Sequence, residues 1–350
     1  MRYILLLLSV GAFACVQTKE AENWFDKEYQ ITHTVVELSD IIASEGQMIL
    51  LDDVNCIVKA EYYEGTLLSK IDYTKRTISP LVKKGSGPNE YNKLWLMNQT
   101  EDGHFWVFDI PQKRFLKMTD NGIAVDTIVS DLYAFAANNI GDNTVVSGII
   151  KRRDSNYQQT RFALINHHGE AVSYGGNYPD DGVTEDMNTK AFAYQGRFVV
   201  NQSLNRFAFF CFSGEMFDLC SVQNGQIIPI KEVRIDLPRY KSAEDNNGVI
   251  HEMENRMGYI DVYATNRFMY ALFSGRIIDE KSRSGLEKTR STEYIYVYDW
   301  DGNAVCKLVA DRKLLSICAP KDNSRLFGIS SDGNDIELCS FDLSQIEVLK

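Results

Sequence analysis

From about residue 30 onward the chain repeats one local signal: a short apolar run, a tight polar turn, and another short apolar run. Met48 to Leu51, Phe105 to Phe108, Thr144 to Ile150, Phe207 to Phe212, Phe268 to Phe273 and Glu293 to Tyr298 are such runs. Asp102-Gly103, Asn121-Gly122, His168-Gly169, Asn224-Gly225, Asp301-Gly302 and Asp332-Gly333 punctuate them. Asn, Asp and Gly tolerate the positive φ of tight hairpin turns, so each pair predicts two antiparallel strands. Tyr294-Ile295-Tyr296-Val297-Tyr298 running into Asp299-Trp300-Asp301-Gly302 is the clearest instance. No stretch of helical period reaches three turns, and the best helix candidate is Val249 to Met257 in a polar insertion. The supply of 18 Tyr, 18 Phe and 4 Trp against 7 Pro suits pleated, half-buried surfaces.

This pattern restricts the chain to an all-β architecture without a low-complexity linker that would cut it in two. Strand–turn repetition over such a length predicts a β-propeller. The 320 residues after Gln30 divide into six blades of about 53, or seven tighter ones. A single propeller domain is expected over residues 30–350. The formal net charge of −11 removes nucleic acid from the expected partners, because phosphate binding needs a basic surface.

Residues 1–14, MRYILLLLSVGAFA, read as an export signal: Arg2 is the positive start, Ile4 to Val10 the apolar run, and Ala12-Phe13-Ala14 the small-x-small end. The run is far shorter than the roughly 20 residues of a membrane span. Cys15 comes directly after it, and residues 15–29 form an acidic tether. A signal with cysteine next to the cleavage point resembles a bacterial lipoprotein signal, although Ala12 stands where Leu is usual. The polar stretch after Cys15 resembles the surface-export signals of Bacteroidetes lipoproteins. The resemblance implies a lipid anchor on Cys15, hence the membrane as a partner, at the outer membrane or cell surface. Beyond Cys15 there are Cys56, Cys211, Cys220, Cys306, Cys318 and Cys339. Their apolar contexts predict mostly buried free thiols rather than a disulfide framework.

Lys84 to Gly122 carries a fuller motif. Gly85-Ser86-Gly87-Pro88-Asn89-Glu90-Tyr91 opens it, Gly103 turns a hairpin, Phe105 to Phe108 ends in Asp109, and Gln112 and Arg114 stand in the polar turn beyond. This resembles one blade of the NHL and related six-bladed propellers, with Gln112 where those have Asn. Thr265 to Arg276, with Tyr270-Ala271-Leu272-Phe273-Ser274-Gly275, is similar to a strand of TolB-like six-bladed propeller lipoproteins of Bacteroidetes. The resemblance implies six blades and an envelope location, and brings no catalytic residue with it. Gly85, Gly87, Glu90, Tyr91, Asp109, Gln112 and Arg114 are accordingly expected to hold the blade together, with Gly87 in a conformation closed to other residues. A phosphate-cradling role for the loop lacks the Lys-Ser/Thr and the helix that should come after the glycines.

Chemistry-bearing motifs are sparse. Of the five histidines, His104, His167 and His168 fall in turns, while His251 beside Glu252 falls in the polar insertion. His104, His251 and Glu252 are candidates for the channel or its loops. No H-E-x-x-H, C-x-x-C or G-x-S-x-G occurs, so no metal, cofactor or nucleophile elbow is expected. Pro179 to Asp186 holds calcium-type ligands at the wrong spacing for an EF-hand and reads as an exposed acidic loop. Loops of a propeller converge on one channel mouth, and the expected function is capture of a ligand or envelope protein there. The alternative is a propeller enzyme, of lyase or lactonase type, with its site at the channel. Insertions at Tyr174 to Thr189 and Tyr240 to Met257 are expected to decorate the binding face.

Overall fold

The computed structural model describes residues 24–39, 46–59, 65–99, 103–150, 160–184, 186–243, 248–277, 290–331 and 336–350. Four blades are separate antiparallel sheets. Blade one runs Met48–Leu50, Asn55–Lys59, Thr66–Asp72, Thr77–Lys84, with Glu90–Tyr91 added in parallel at its edge. Blade two is Leu94–Gln99, Phe105–Asp109, Arg114–Met118, Ala124–Val129. Blade three is Tyr133–Ile140, Asn143–Ile149, Phe162–Ile165, Ala171–Gly175, and blade four Gly196–Asn201, Arg206–Cys211, Glu215–Gln223, Gln226–Asp236.

Blades five and six share the strand Ala304–Cys318. Its first half pairs with Thr292–Asp299, completing Tyr259–Ala264, Phe268–Phe273 and Thr292–Asp299 as blade five. Its second half, Leu314 to Cys318, pairs with Arg325–Ser330 and opens blade six, which continues through Glu337–Asp342. The fourth strand of blade six comes from the other end of the chain: His33–Val36 pairs with Glu337–Asp342. The first strands contact one another in sequence around the molecule, and Leu314–Cys318 returns to Met48–Leu50. The protein is therefore a closed ring of six four-stranded blades. Joining the termini in one sheet removes the open seam through which a ring of sheets would otherwise part.

Tight turns do as the sequence predicts. Gly103, Gly122, Gly169, Gly225 and Gly302 all have φ between 72° and 78°, the left-handed region where a side chain is strained. The Asp332-Gly333 turn lies outside the described residues. Aromatic side chains fill the spaces between blades. Phe162 of blade three meets Phe198, Phe207 and Phe209 of blade four at centroid distances of 5.6, 5.5 and 5.3 Å. Phe210 and Phe217 of blade four meet Tyr298 of blade five at 6.0 and 4.9 Å. Each such ring removes a large apolar area from water, at about 25 cal/mol per Å². Cys56, Cys211, Cys220, Cys306, Cys318 and Cys339 are buried and free.

Two expectations need correction. Val249 to Met257 is not a helix: Val249–His251 is a strand paired with Tyr240–Ser242, and buried Asn255 holds the rest of the segment against the chain by accepting the Arg239 N–H at 2.9 Å. The α-helix among the described residues is instead Met187–Ala193, started by Asp186, whose side chain accepts the Thr189 N–H at 2.8 Å. The tether also ends earlier than residue 29. Phe25 packs on Tyr296 at 4.6 Å, and Glu28–Ile31 runs parallel to Lys307–Ala310, so ordered packing begins by Trp24.

Because every blade repeats the same sense, all first strands begin at one face. The connections from second to third strands, and from each blade to the next, emerge there. Those after Ile149, Gly175, Asp236 and Phe273 span 12, 20, 22 and 18 residues. On the opposite face the connections span two to six residues. Both insertions expected to decorate a binding face thus leave from the same side.

Candidate functional site

At the long-loop face the first strands deliver one group of side chains to the channel mouth. Trp95 comes from blade two, Phe135 from three, Arg197 from four, Asp261 from five and Ser316 from six. Arg197 pairs with Asp261. The other Asp261 oxygen accepts from Ser316 Oγ at 2.6 Å and the Ile317 N–H at 2.9 Å, so three blades are locked by one carboxylate. Gln47 joins blades one and two, its amide exchanging two 3.0 Å bonds with the Leu96 backbone. The Trp95 ring faces two cations, Lys59 Nζ at 4.9 Å and the Arg197 guanidinium at 5.8 Å.

Two cavities share this wall. A small one, about 50 Å³, reaches Gln47, Arg197 and Asp261. A larger one, about 200 Å³, opens outward between Lys93, Lys113, Tyr133 and Phe212. Trp95, Phe108, Phe135 and Gly196 border both. Among the described residues, Trp95 Nε1 and Arg197 Nε are buried with no hydrogen-bond partner. The far end of the channel differs: its cavity of about 120 Å³ is bordered by the amides Asn98, Asn138, Gln202 and Asn266, with Lys321.

The insertions are tied to this mouth. Asp181, in the loop read from sequence as exposed and acidic, is an interior anchor. Its Oδ2 accepts from Tyr194 OH at 2.8 Å and Tyr240 OH at 2.6 Å, and its Oδ1 accepts the Val183 N–H at 3.1 Å. Lys190 Nζ lies 3.7 Å from the same carboxylate and donates to the Pro179 carbonyl at 3.0 Å. Burial pushes the Asp181 carboxyl upward, but the bonds from Tyr240, Tyr194 and Val183 with the Lys190 charge hold it below its usual value. Tyr194 and Tyr240 are driven above theirs, chiefly by burial and then by donating to Asp181. The helix held by this cluster places Phe192 4.9 Å from Phe135, and Gln195 borders the larger cavity.

The blade motif residues also gather around one cavity, about 510 Å³, which Gly85, Gly87, Glu90, Tyr91, Asp109, Gln112 and Arg114 all border. Arg114 donates through Nη2 at 2.5 Å and Nε at 3.2 Å to buried Asp109, which faces it across the hairpin. Arg114 also lies 5.9 Å from the Tyr91 ring, while Gln112 is exposed. Gly87 is not in the left-handed region; Asn89, at φ 58°, takes that position in the loop. Glycine here leaves room for the Glu90 carboxylate, which folds back to accept the Gly87 N–H at 2.9 Å and would have to swing away from a larger residue. A Cβ at Gly85 would stand 2.1 Å from Glu90 Oε2, and one at Gly87 3.0 Å.

His104, His251 and Glu252 do not come together. His104 stands after a short hairpin on the opposite face. His251 Nδ1 meets Asn255 Nδ2 at 3.1 Å, and Glu252 pairs with Lys241 at 3.4 Å, both in the insertion after blade four. None of the three borders the channel cavities. Cys15 lies outside the described residues. The mouth residues Trp95, Phe135, Arg197 and Asp261 escaped sequence reading because they are single positions on four strands, 40 to 64 residues apart, with no local motif. The available signal was an ionic residue inside an apolar run, as at Arg197 and Asp261.

A family model described as TolB-like 6-blade propeller-like matches residues 42–322. A structure described as an exported protein of Bacteroides fragilis is similar, with a TM-score of 0.57 at 10% identity, covering 90% of this chain and 98% of that one. A member of the DUF4221 family from Bacteroides vulgatus gives a TM-score of 0.53 at 12% identity, covering 89% of this chain and 95% of that one. At these identities the likeness is one of fold. No curated protein matches.

Proposed function

We propose a binding role, taking as premise that the chain belongs to the TolB-like six-bladed propeller family. In this reading it is an exported protein, held to the membrane by a lipid on Cys15, whose long-loop face captures a ligand or an envelope protein without transforming it. One observation carries the reading: the four longest connections emerge on the face where an aromatic, cationic cavity opens at the channel mouth. Pockets that combine apolar walls with a few convergent polar groups are where small ligands bind. The ionic centre of the mouth, Arg197 with Asp261, is already engaged in joining blades four, five and six. That placement supports a scaffold for binding rather than a reacting acid–base pair.

The test is a thermal-shift screen of small molecules, with each hit titrated against three variants. Phe135→Ala and Trp95→Leu at the mouth should weaken binding about tenfold or more, as loss of a buried aromatic anchor does. Gln202→Ala at the far end should leave it unchanged. The reverse pattern would move the site to the far end of the channel, and turnover of a hit into product would replace the binding role by catalysis.

A further inference from the structure

Resting on the binding role at the long-loop mouth, its lining specifies a ligand class. We infer that the mouth takes a small planar organic anion, with Lys93 and Lys113 meeting its charge, the Trp95 and Arg197 Nε–H groups donating to it, and Trp95 and Phe135 meeting its ring. Three independent features converge on this. The first is charge. Among the described residues bordering the larger cavity there are two cations, exposed Lys93 and Lys113, and no carboxylate, while the smaller cavity adds only the charges of Arg197 and Asp261, which neutralise each other; the chain as a whole has 48 acidic residues against 37 basic ones. Cations gathered in a cleft with apolar walls attract an anion more strongly than the same charges spread over a surface.

The second feature is hydrogen bonding. Trp95 Nε1 and Arg197 Nε are both buried, both unpartnered, and both donors only. Their side chains are neighbours, the guanidinium lying 5.8 Å from the Trp95 ring. A buried donor without an acceptor destabilises the site that holds it. An acceptor-only group, as a carboxylate is, would satisfy both once side-chain movement at the mouth admits it; a donor would satisfy neither. The third feature is shape. Trp95, Phe108, Phe135 and Phe212 supply flat walls, and the two adjacent cavities, about 200 and 50 Å³, are smaller than the roughly 300–1,000 Å³ of drug-sized sites. One ring and one acidic group is the scale that fits.

The experiment uses benzoate and its neutral isostere benzamide, titrated calorimetrically into the purified full chain. Benzoate should bind with a Kd of about 1 mM or tighter, and benzamide about tenfold more weakly. Lys93→Ala combined with Lys113→Ala should weaken benzoate about tenfold, leave benzamide unchanged, and leave the melting temperature unchanged, because both lysines are exposed. Trp95→Phe, which keeps a ring and removes the N–H, should weaken benzoate severalfold. Equal affinity for benzoate and benzamide overturns the anion inference and leaves the binding face standing, as does absence of benzoate binding up to about 20 mM while other ligands bind there. Benzoate binding that ignores Phe135→Ala, Trp95→Leu and the double lysine change overturns the anion inference, and screen hits that ignore the same mouth variants overturn the binding face with it.

Discussion

Asp181→Ala should loosen both long insertions together. The substitution strands two phenol hydroxyls, on Tyr194 and Tyr240, which are 1% and 2% exposed. Each loses an acceptor at 2.8 or 2.6 Å. An unsatisfied buried hydroxyl costs about 1–3 kcal/mol, so the pair costs about 2–6 kcal/mol before relaxation. Lys190, 4% exposed at its side chain, also loses its counter-charge. The cluster belongs to the connections 176–195 and 237–258 rather than to the blades, so the loss should appear as local opening before global melting. Hydrogen exchange should speed up in both connections and stay unchanged in blades one, two and six. The causal part is isolated by Tyr194→Phe with Tyr240→Phe. With the hydroxyls gone, adding Asp181→Ala should cost much less than in the parent chain. The acid limb should respond too. Asp181 has its pKa lowered by folding, so its contribution is present above the unfolded carboxylate value and is lost as pH falls through the folded one. The variant should lack that part of the acid sensitivity. An equal cost in both backgrounds, or exchange confined to one insertion, would refute the carboxylate as the tie between them.

Glu215, 5% exposed and with no partner for Oε1, has its pKa raised to about 7, first by burial and then by Asp236. Between pH 4.5 and about 7 the folded state holds the extra proton, so stability should fall as pH rises through that window, by at most about 3 kcal/mol. Glu215→Gln should flatten that slope in thermal melts from pH 5 to 8, and an unchanged slope would assign it elsewhere. In the Gly85 loop, Gly85→Ala should cost more than Gly87→Ala, because the new Cβ displaces the Glu90 carboxylate from 2.1 Å rather than 3.0 Å and breaks its bond to the Gly87 N–H. Asp109→Ala, which leaves Arg114 without its buried partner, should cost about 1–3 kcal/mol by denaturant titration, with ligand affinity at the channel mouth preserved. Lipidation at Cys15 predicts fatty-acid labelling of the parent chain and none of Cys15→Ala, with the variant released from the membrane fraction or left unprocessed. An unlabelled parent chain would remove the anchor.

The ring of blades was legible because its determinants are local. Asn121-Gly122 and Asp301-Gly302 each encode one hairpin, and Phe105 to Asp109 encodes one strand, without reference to anything distant. The Asp109–Arg114 pair was legible for the same reason, five residues apart across a turn. The failures are of two kinds. Val249–His251 became a strand because Tyr240–Ser242, seven residues before it, lay beside it, with Asn247-Gly248 between them as the available local signal. Asp181 became buried because Tyr194 and Tyr240, 13 and 59 residues away, were folded over it, and no local pattern marks that. Closure of blade six by His33–Val36 joins positions about 300 residues apart, and the channel mouth draws from every blade. A propeller specifies its blades locally and its site only through the ring.

Hydrogen exchange with and without a bound ligand from the screen tests the location of the site most directly. Protection should fall on Lys93 to Leu96, Tyr133 to Ala136 and Gln195 to Phe198, where the first strands of blades two, three and four begin at the long-loop face. The hairpins around Gly141 and Gln202 on the opposite face should be unaffected. Protection confined to those hairpins, with the mouth exchanging at its free rate, would contradict a binding site at the long-loop face.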